Sequence, residues 1–195
     1  MTQEKMATNM SVRAVVDSIL EIMGDNGAKV IFRNAGYPQL LDNPPDYNWE
    51  PCISTSDQAK FMLGVADVVG FNGAVGIWRR IGYNGYRYAN EIGHILDSLK
   101  DATPDEKFTK ALDIYIAASG RGKTVDKGKK IPDFEVPDCH FCEGVTADRS
   151  ICSGFAGVVQ YVSDWAYGKG AYITKETRCR AKGDDTCYYV LAEID

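Results

Sequence analysis

Apolar residues recur at helical spacing through Val12, Val15, Val16, Ile19, Leu20, Ile22 and Met23, which predicts a helix with one buried stripe and with Gly24 and Gly27 as its C-terminal stop. Ala28–Arg33 is a short apolar run readable as a strand or a helix start. Tyr37–Pro51, with Pro38, Pro44, Pro45 and Pro51, reads as an irregular loop. Ser54 or Ser56 is placed to cap a second helix, with Asp57 in its first turn and Phe61, Met62, Val65, Val68 and Val69 on its inner face. Seven glycines between Gly64 and Gly93 weaken this helical region, because each interior glycine costs about 1 kcal/mol against alanine. Small residues at such density predict close helix–helix contact. Pro104, Asp105 and Glu106 open a further helix with Phe108, Ala111, Leu112, Tyr115 and Ala118 inside, ended by Gly120 and Gly122.

The period then changes. Gly122–Lys130 is a polar, basic connector, and Ile131, Phe134, Val136 and Phe141 alternate as strand material. Cys152–Tyr167 returns to helical spacing, and the runs Ala171–Lys182 and Thr186–Glu193 flank a turn at Gly183, Asp184 and Asp185. Helices first and paired strands last predict an α+β fold, with N-terminal and central helices packed on an antiparallel sheet that ends in a C-terminal β-hairpin. Residues 1–52 form an N-terminal helical extension and loop and residues 53–195 the main domain, together one compact unit.

At 195 residues, with 45% hydrophobic and 25% charged positions, the chain can bury a substantial core. Its net charge of −5 repels polyphosphate, so no nucleic-acid partner is expected. Val12–Met23 is interrupted by Arg13, Asp17 and Glu21, no membrane span is expected, and Met1–Met10 has no following apolar stretch of the kind a secretory signal carries. The cytoplasm is therefore the expected compartment.

Six cysteines change this ordinary picture, because Cys139, Cys142, Cys152, Cys179 and Cys187 all fall in the last 57 residues. A three-residue hairpin loop at Lys182–Asp184 sets Cys179 directly across from Cys187, where opposed Cβ atoms lie about 4.5–5.5 Å apart. Glu176, three residues before Cys179, points to the other face of a regular strand, so a bulge is needed to bring the two together. Cys152, at the start of the preceding helix, can complete a closed set of four donors suited to zinc. A rival set joins the Cys139-His-Phe-Cys142 pair to two of the later cysteines. That pair can also serve in thiol redox chemistry or simply flank a strand end.

The string Glu176-Thr-Arg-Cys179-Arg-Ala-Lys-Gly183-Asp184-Asp-Thr-Cys187 resembles the closing signature of the 4-vinyl reductase domain family, E-x-x-C-x-A-x-G-D-x-x-C, and Cys152-x-Gly154-Phe-Ala-Gly157 resembles its helix-opening segment. The likeness is confined to about Cys139–Ile194. It implies a small-molecule-binding α+β domain, usually dimeric, similar in fold to small subunits of the TRAPP tethering complex and to haem nitric-oxide sensor domains. It further implies a structural zinc on Cys152, Glu176, Cys179 and Cys187, with Cys139 and Cys142 left outside that set. The same resemblance supplies the other expectations: a sensor or carrier for a mainly apolar, aromatic or tetrapyrrole ligand, an enzyme or accessory factor in (bacterio)chlorophyll vinyl reduction, or a scaffold subunit. The sequence lacks the tyrosine–serine–arginine triplet of the haem sensors, so His94 reads as an ordinary helix histidine rather than a haem ligand.

The stretch Trp78–Tyr88 concentrates aromatics and arginines suited to a flat ligand with carboxylates, and Trp78, Arg79, Tyr83, Tyr86 and His94 are the candidate ligand contacts. An aromatic helix core with snorkelling arginines is the plainer reading of the same residues. Ala117–Thr124 imitates a phosphate-binding loop, but its first glycine is replaced by Ala117 and it follows a helix.

Overall fold

The computed structural model describes residues 6–142 and 145–194. Strand β1 (Met6–Thr8) leads into α1 (Asn9–Asn34), whose N-terminus is capped by the Thr8 hydroxyl accepting from the Ser11 amide. After the short α2 (Gln39–Asp42), strand β2 (Pro51–Ser54) pairs antiparallel with β1 and ends at Ser54, the N-cap of α3 (Thr55–Glu91). Helix α4 (Pro104–Ser119) starts on a capping box between Thr103 and Glu106, and Gly120 closes it. Then come β3 (Lys123–Val125), β4 (Asp133–Val136), α5 (Ser153–Tyr167), β5 (Tyr172–Arg178) and β6 (Cys187–Glu193). The last four strands form an antiparallel sheet in the order β3-β4-β6-β5. The fold is α+β, and its chain ends in the β5–β6 hairpin.

Several elements differ from the pattern reading. Gly24 interrupts α1 rather than finishing it, and Gly70 interrupts α3 where no break is expected. Each takes a positive φ, 63° and 70°, that breaks α1 and α3 internally, and the helix resumes beyond. Ala28–Arg33 is thus helical, with Ile31 and Phe32 fully buried. The basic connector contains β3, whose Lys123 faces Glu135 across the ladder with an ion pair at 3.2 Å. Phe141 lies in a single turn of 3-10 helix, His140–Cys142, rather than in a strand, and Ala118 is exposed. Helix α3 is long and apolar enough to match a membrane span by length and composition. It is broken at Gly70 and buries Phe61, Met62, Val65, Ala74, Ile77 and Trp78 in the core.

The core lies between layers, with α5 sandwiched between α3 and the sheet and α1 covering the far side of α3. Val12, Val15, Val16 and Ile19 of α1 join the same apolar core as Phe155, Val159 and Val162 of α5. A buried polar link accompanies this packing, Asn84 donating to Ser18 at 2.9 Å, and at the exposed rim Arg80 forks onto Glu21. Helices α3 and α5 approach almost backbone to backbone. A Cβ on Gly82 would land on the carbonyl oxygen of Gly154, and one on Gly157 on that of Arg79. The close contact predicted from the glycine density of α3 is made there by Gly82 against Gly154, with Gly157 of α5 beside it, and it fixes where the first turn of α5 sits.

Candidate metal centre

Three chain segments end at the same edge of the sheet. Val136, the last residue of β4, pairs with Cys187, the first of β6, so the chain leaving β4 must turn over the start of β6. It does so through a tight turn in which the Cys142 amide donates to the Cys139 carbonyl at 3.1 Å. Strand β5 carries a bulge between Glu176 and Arg178, which is the irregularity required for Glu176 and Cys179 to face one another. Beyond the bulge Arg178 pairs with Tyr188, a register that aligns Cys179 with Cys187 as predicted. The connection is longer than the expected three residues, because a 3-10 turn at Arg180–Lys182 is folded inside it and held by Asp184 accepting from the Cys179 amide at 2.7 Å. Cys152 arrives from the α5 N-terminus, where its carbonyl accepts from the Tyr189 hydroxyl at 3.0 Å.

Five buried thiols and one carboxylate result. The ligand atoms of Cys152, Glu176, Cys179 and Cys187 all lie within 4.8 Å of one another, and so do those of Cys139, Cys142, Cys152 and Cys187. The sulfur of Cys152 is 3.0 Å from Cys142, 3.2 Å from Cys139, 3.6 Å from Cys187 and 4.0 Å from Cys179. Zinc–sulfur bonds of about 2.3 Å in a tetrahedron span an edge of about 3.8 Å between sulfurs, so this cluster has the dimensions of a metal site. Both carboxylate oxygens of Glu176 are buried and accept no hydrogen bond meeting normal geometry among the described residues. Burial, followed by the adjacent Cys179, pushes the Glu176 carboxyl up to about 9. Hydrogen bonds from Cys139, Cys152, Cys179 and Cys187 drive the Cys142 thiol well below the usual range, while Cys139 and Cys142 push Cys152 up. A buried donor set of this kind suits a divalent cation, which relieves the unpartnered carboxylate and favours thiolates throughout.

Comparison with known proteins follows the fold. No family model matches the sequence, and no curated protein resembles it in sequence. Solved structures do resemble it. The phenol-responsive sensory domain of the transcription activator PoxR, solved with phenol, superposes with a TM-score of 0.61 at 14% identity, over 75% of this chain and 77% of that one. An H-NOX protein from S. oneidensis matches over 97% of both chains with a TM-score of 0.63 at 10% identity. An oxygen-binding H-NOX domain related to soluble guanylate cyclases gives 0.57 at 13% identity, over 95% of this chain and 93% of that one. The chain shares their fold.

The predicted ligand contacts do not gather in one place. Trp78 is buried and lines a small apolar cleft of about 10 Å³ with Met62, Leu63, Phe141, Ile151 and Gly154, its indole N–H donating to the Met62 carbonyl at 2.7 Å. Arg79 is turned toward α5, donating to Gln160 at 2.9 Å, and the Tyr83 hydroxyl donates to Asp164 at 3.2 Å. Tyr86 is buried with its hydroxyl on the Ala111 carbonyl, and burial pushes that phenol well above its ordinary range. His94 sits at the surface with φ 54°, beside Asp97. Sequence reasoning named one wall of the cleft through Trp78 and missed Phe141 and Ile151. These two lie in the segment that crosses over β6, and only the end of β4 opposite Cys187 signals that crossing.

Proposed function

We propose that this chain is a metal-stabilised, small-molecule-binding sensor or carrier domain of the 4-vinyl reductase type, acting as a homodimer. The observation that carries the proposal is the fold, shared across most of the chain with a phenol-responsive sensory domain and with H-NOX domains. The ion is zinc on Cys152, Glu176, Cys179 and Cys187, in a structural role, because a closed set of four protein donors leaves no position for a reacting water. The cleft beside it supports an apolar ligand of one aromatic ring. Its walls are apolar and its enclosed volume is about 10 Å³, so a ring enters only as Leu63, Phe141 and Ile151 move apart. A tetrapyrrole is disfavoured by the same volume and by the arginines, since Arg79 and Arg80 are engaged by Gln160 and Glu21. Vinyl reduction is thus the weaker reading.

The cleft also touches the metal centre. Phe141 precedes Cys142 and Ile151 precedes Cys152, so a ring bound between α3 and α5 presses on two cysteine-bearing turns. That adjacency is a route by which occupancy of the cleft alters the hairpin. Native mass spectrometry of freshly purified protein, followed by thermal-shift titration with phenol, toluene and indole, tests the reading. We expect a metal-bearing dimer and saturable stabilisation by at least one of these ligands, lost when Leu63→Trp fills the cleft. Metal-free protein, or no saturable response to any of the three, would overturn it.

A further inference from the structure

We infer that the cluster holds two divalent metal ions rather than one, as edge-sharing tetrahedra bridged by the thiolates of Cys152 and Cys187. The inference rests on the metal reading above and adds a second site to it. Its basis is the composition of the two donor sets. Each contains four ligand atoms within 4.8 Å of one another, and the two overlap in Cys152 and Cys187 alone. One ion takes Glu176 and Cys179 as its terminal ligands, and the other takes Cys139 and Cys142. The shared pair lies 3.6 Å apart, close to the edge of about 3.8 Å that a tetrahedral thiolate site requires. All five cysteines are buried, and the two of the second ion are already 3.2 and 3.0 Å from the bridging Cys152 sulfur.

Charge and local geometry favour the arrangement. Five thiolates and one carboxylate carry six negative charges in a buried pocket, and a second dication compensates the two that Cys139 and Cys142 contribute. The Arg180 amide points at the Cys187 sulfur at 3.5 Å and supports it as a thiolate. Terminal donors on neighbouring tetrahedra face apart, so loading both ions lengthens the present 3.8 Å separation of Cys142 from Cys179. Among the described residues the turn at His140–Cys142 keeps one backbone bond to the preceding segment, Cys142 N–H to Cys139 carbonyl, and it shifts outward to follow. The chemistry of the donors selects a borderline-soft d10 dication, zinc first and cadmium in its place.

Metal counting on the full chain decides the matter. Protein produced with ample zinc should carry two zinc ions per chain by native mass and elemental analysis, and the double variant Cys139→Ser, Cys142→Ser should lose one of the two. Cobalt titration of the metal-stripped wild type is independent of how that variant folds. Its thiolate-to-cobalt absorption should saturate at two equivalents, with the magnetic moment per cobalt falling between the first and second as the thiolate bridge couples the ions. One zinc per chain and saturation at one equivalent would sink the binuclear site while leaving the single structural ion intact. No bound metal at all would remove both readings.

Discussion

Glu176 shows at the scale of one side chain why a cation belongs beside it. Its carboxyl is pushed up to about 9 from an ordinary 4.5, first by burial and then by Cys179, so the metal-free folded chain keeps a proton that the unfolded chain releases. A raised folded-state value gives stability that is complete below about pH 4.5 and is lost as pH rises through about 9. Metal-stripped wild type should therefore lose stability relative to Glu176→Gln across that window, by at most about 1.4 kcal/mol per pH unit, in denaturant titrations at stepped pH. The loaded protein should show the reverse trend, because protons compete with the metal for thiolates and carboxylate as pH falls. Equal pH slopes for wild type and variant without metal would contradict the buried-carboxylate account. At this scale much was legible from the chain. The need for a bulge at Glu176 and the facing of Cys179 with Cys187 follow from strand periodicity, and both are present. The rival set of Cys139 and Cys142 with two later cysteines is also present, those two being Cys152 and Cys187. That both sets coincide in one cluster was not legible, because it depends on β4 ending opposite Cys187, a pairing between residues about fifty positions apart that no local pattern records.

At the scale of elements, the α3–α5 crossing sets the geometry from which Cys152 projects. Gly157 has no room for a side chain, since a Cβ there meets the Arg79 carbonyl and the Tyr83 amide, whereas Gly76 has nothing within 4 Å. Gly157→Ala should destabilise by about 1–3 kcal/mol or more through overpacking, and Gly76→Ala should be neutral or stabilising by about 0.4–1 kcal/mol. Urea unfolding of the two variants against wild type checks the contrast, and similar midpoints for both would mean that the helices are not in close contact. The glycines of α3 are also where pattern reading succeeds and fails together. Their density announces tight packing, yet nothing in the local sequence distinguishes Gly70, which breaks the helix with φ 70°, from Gly76 or Gly82, which do not. Strand β3 was hidden for a different reason. It is three residues long and lies at the sheet edge, and its lysine finds a partner only across the ladder in Glu135.

For the molecule as a whole, the donor cluster joins the turn after β4, the start of α5 and both strands of the hairpin, from Cys139 to Cys187. Removing the ion with a strong chelator should lower the melting temperature. Loss of a ligand present at a hundred times its Kd removes about 2.7 kcal/mol, which for a domain of this size is roughly 5–11 °C. An unchanged melting curve after verified metal removal would show that the cluster contributes nothing to the fold.

The same placement has a consequence in time as well as in energy. The complete donor set is not assembled until β6 lies between β4 and β5 and α5 has docked through its glycines, so these contacts precede the full set of coordination bonds that joins them. Interactions absent from the transition state slow escape from the native state without hastening arrival. Bound metal should thus leave the refolding rate nearly unchanged and lengthen the lifetime of the folded chain, so that the cysteine clasp acts as a latch on a door that has already closed.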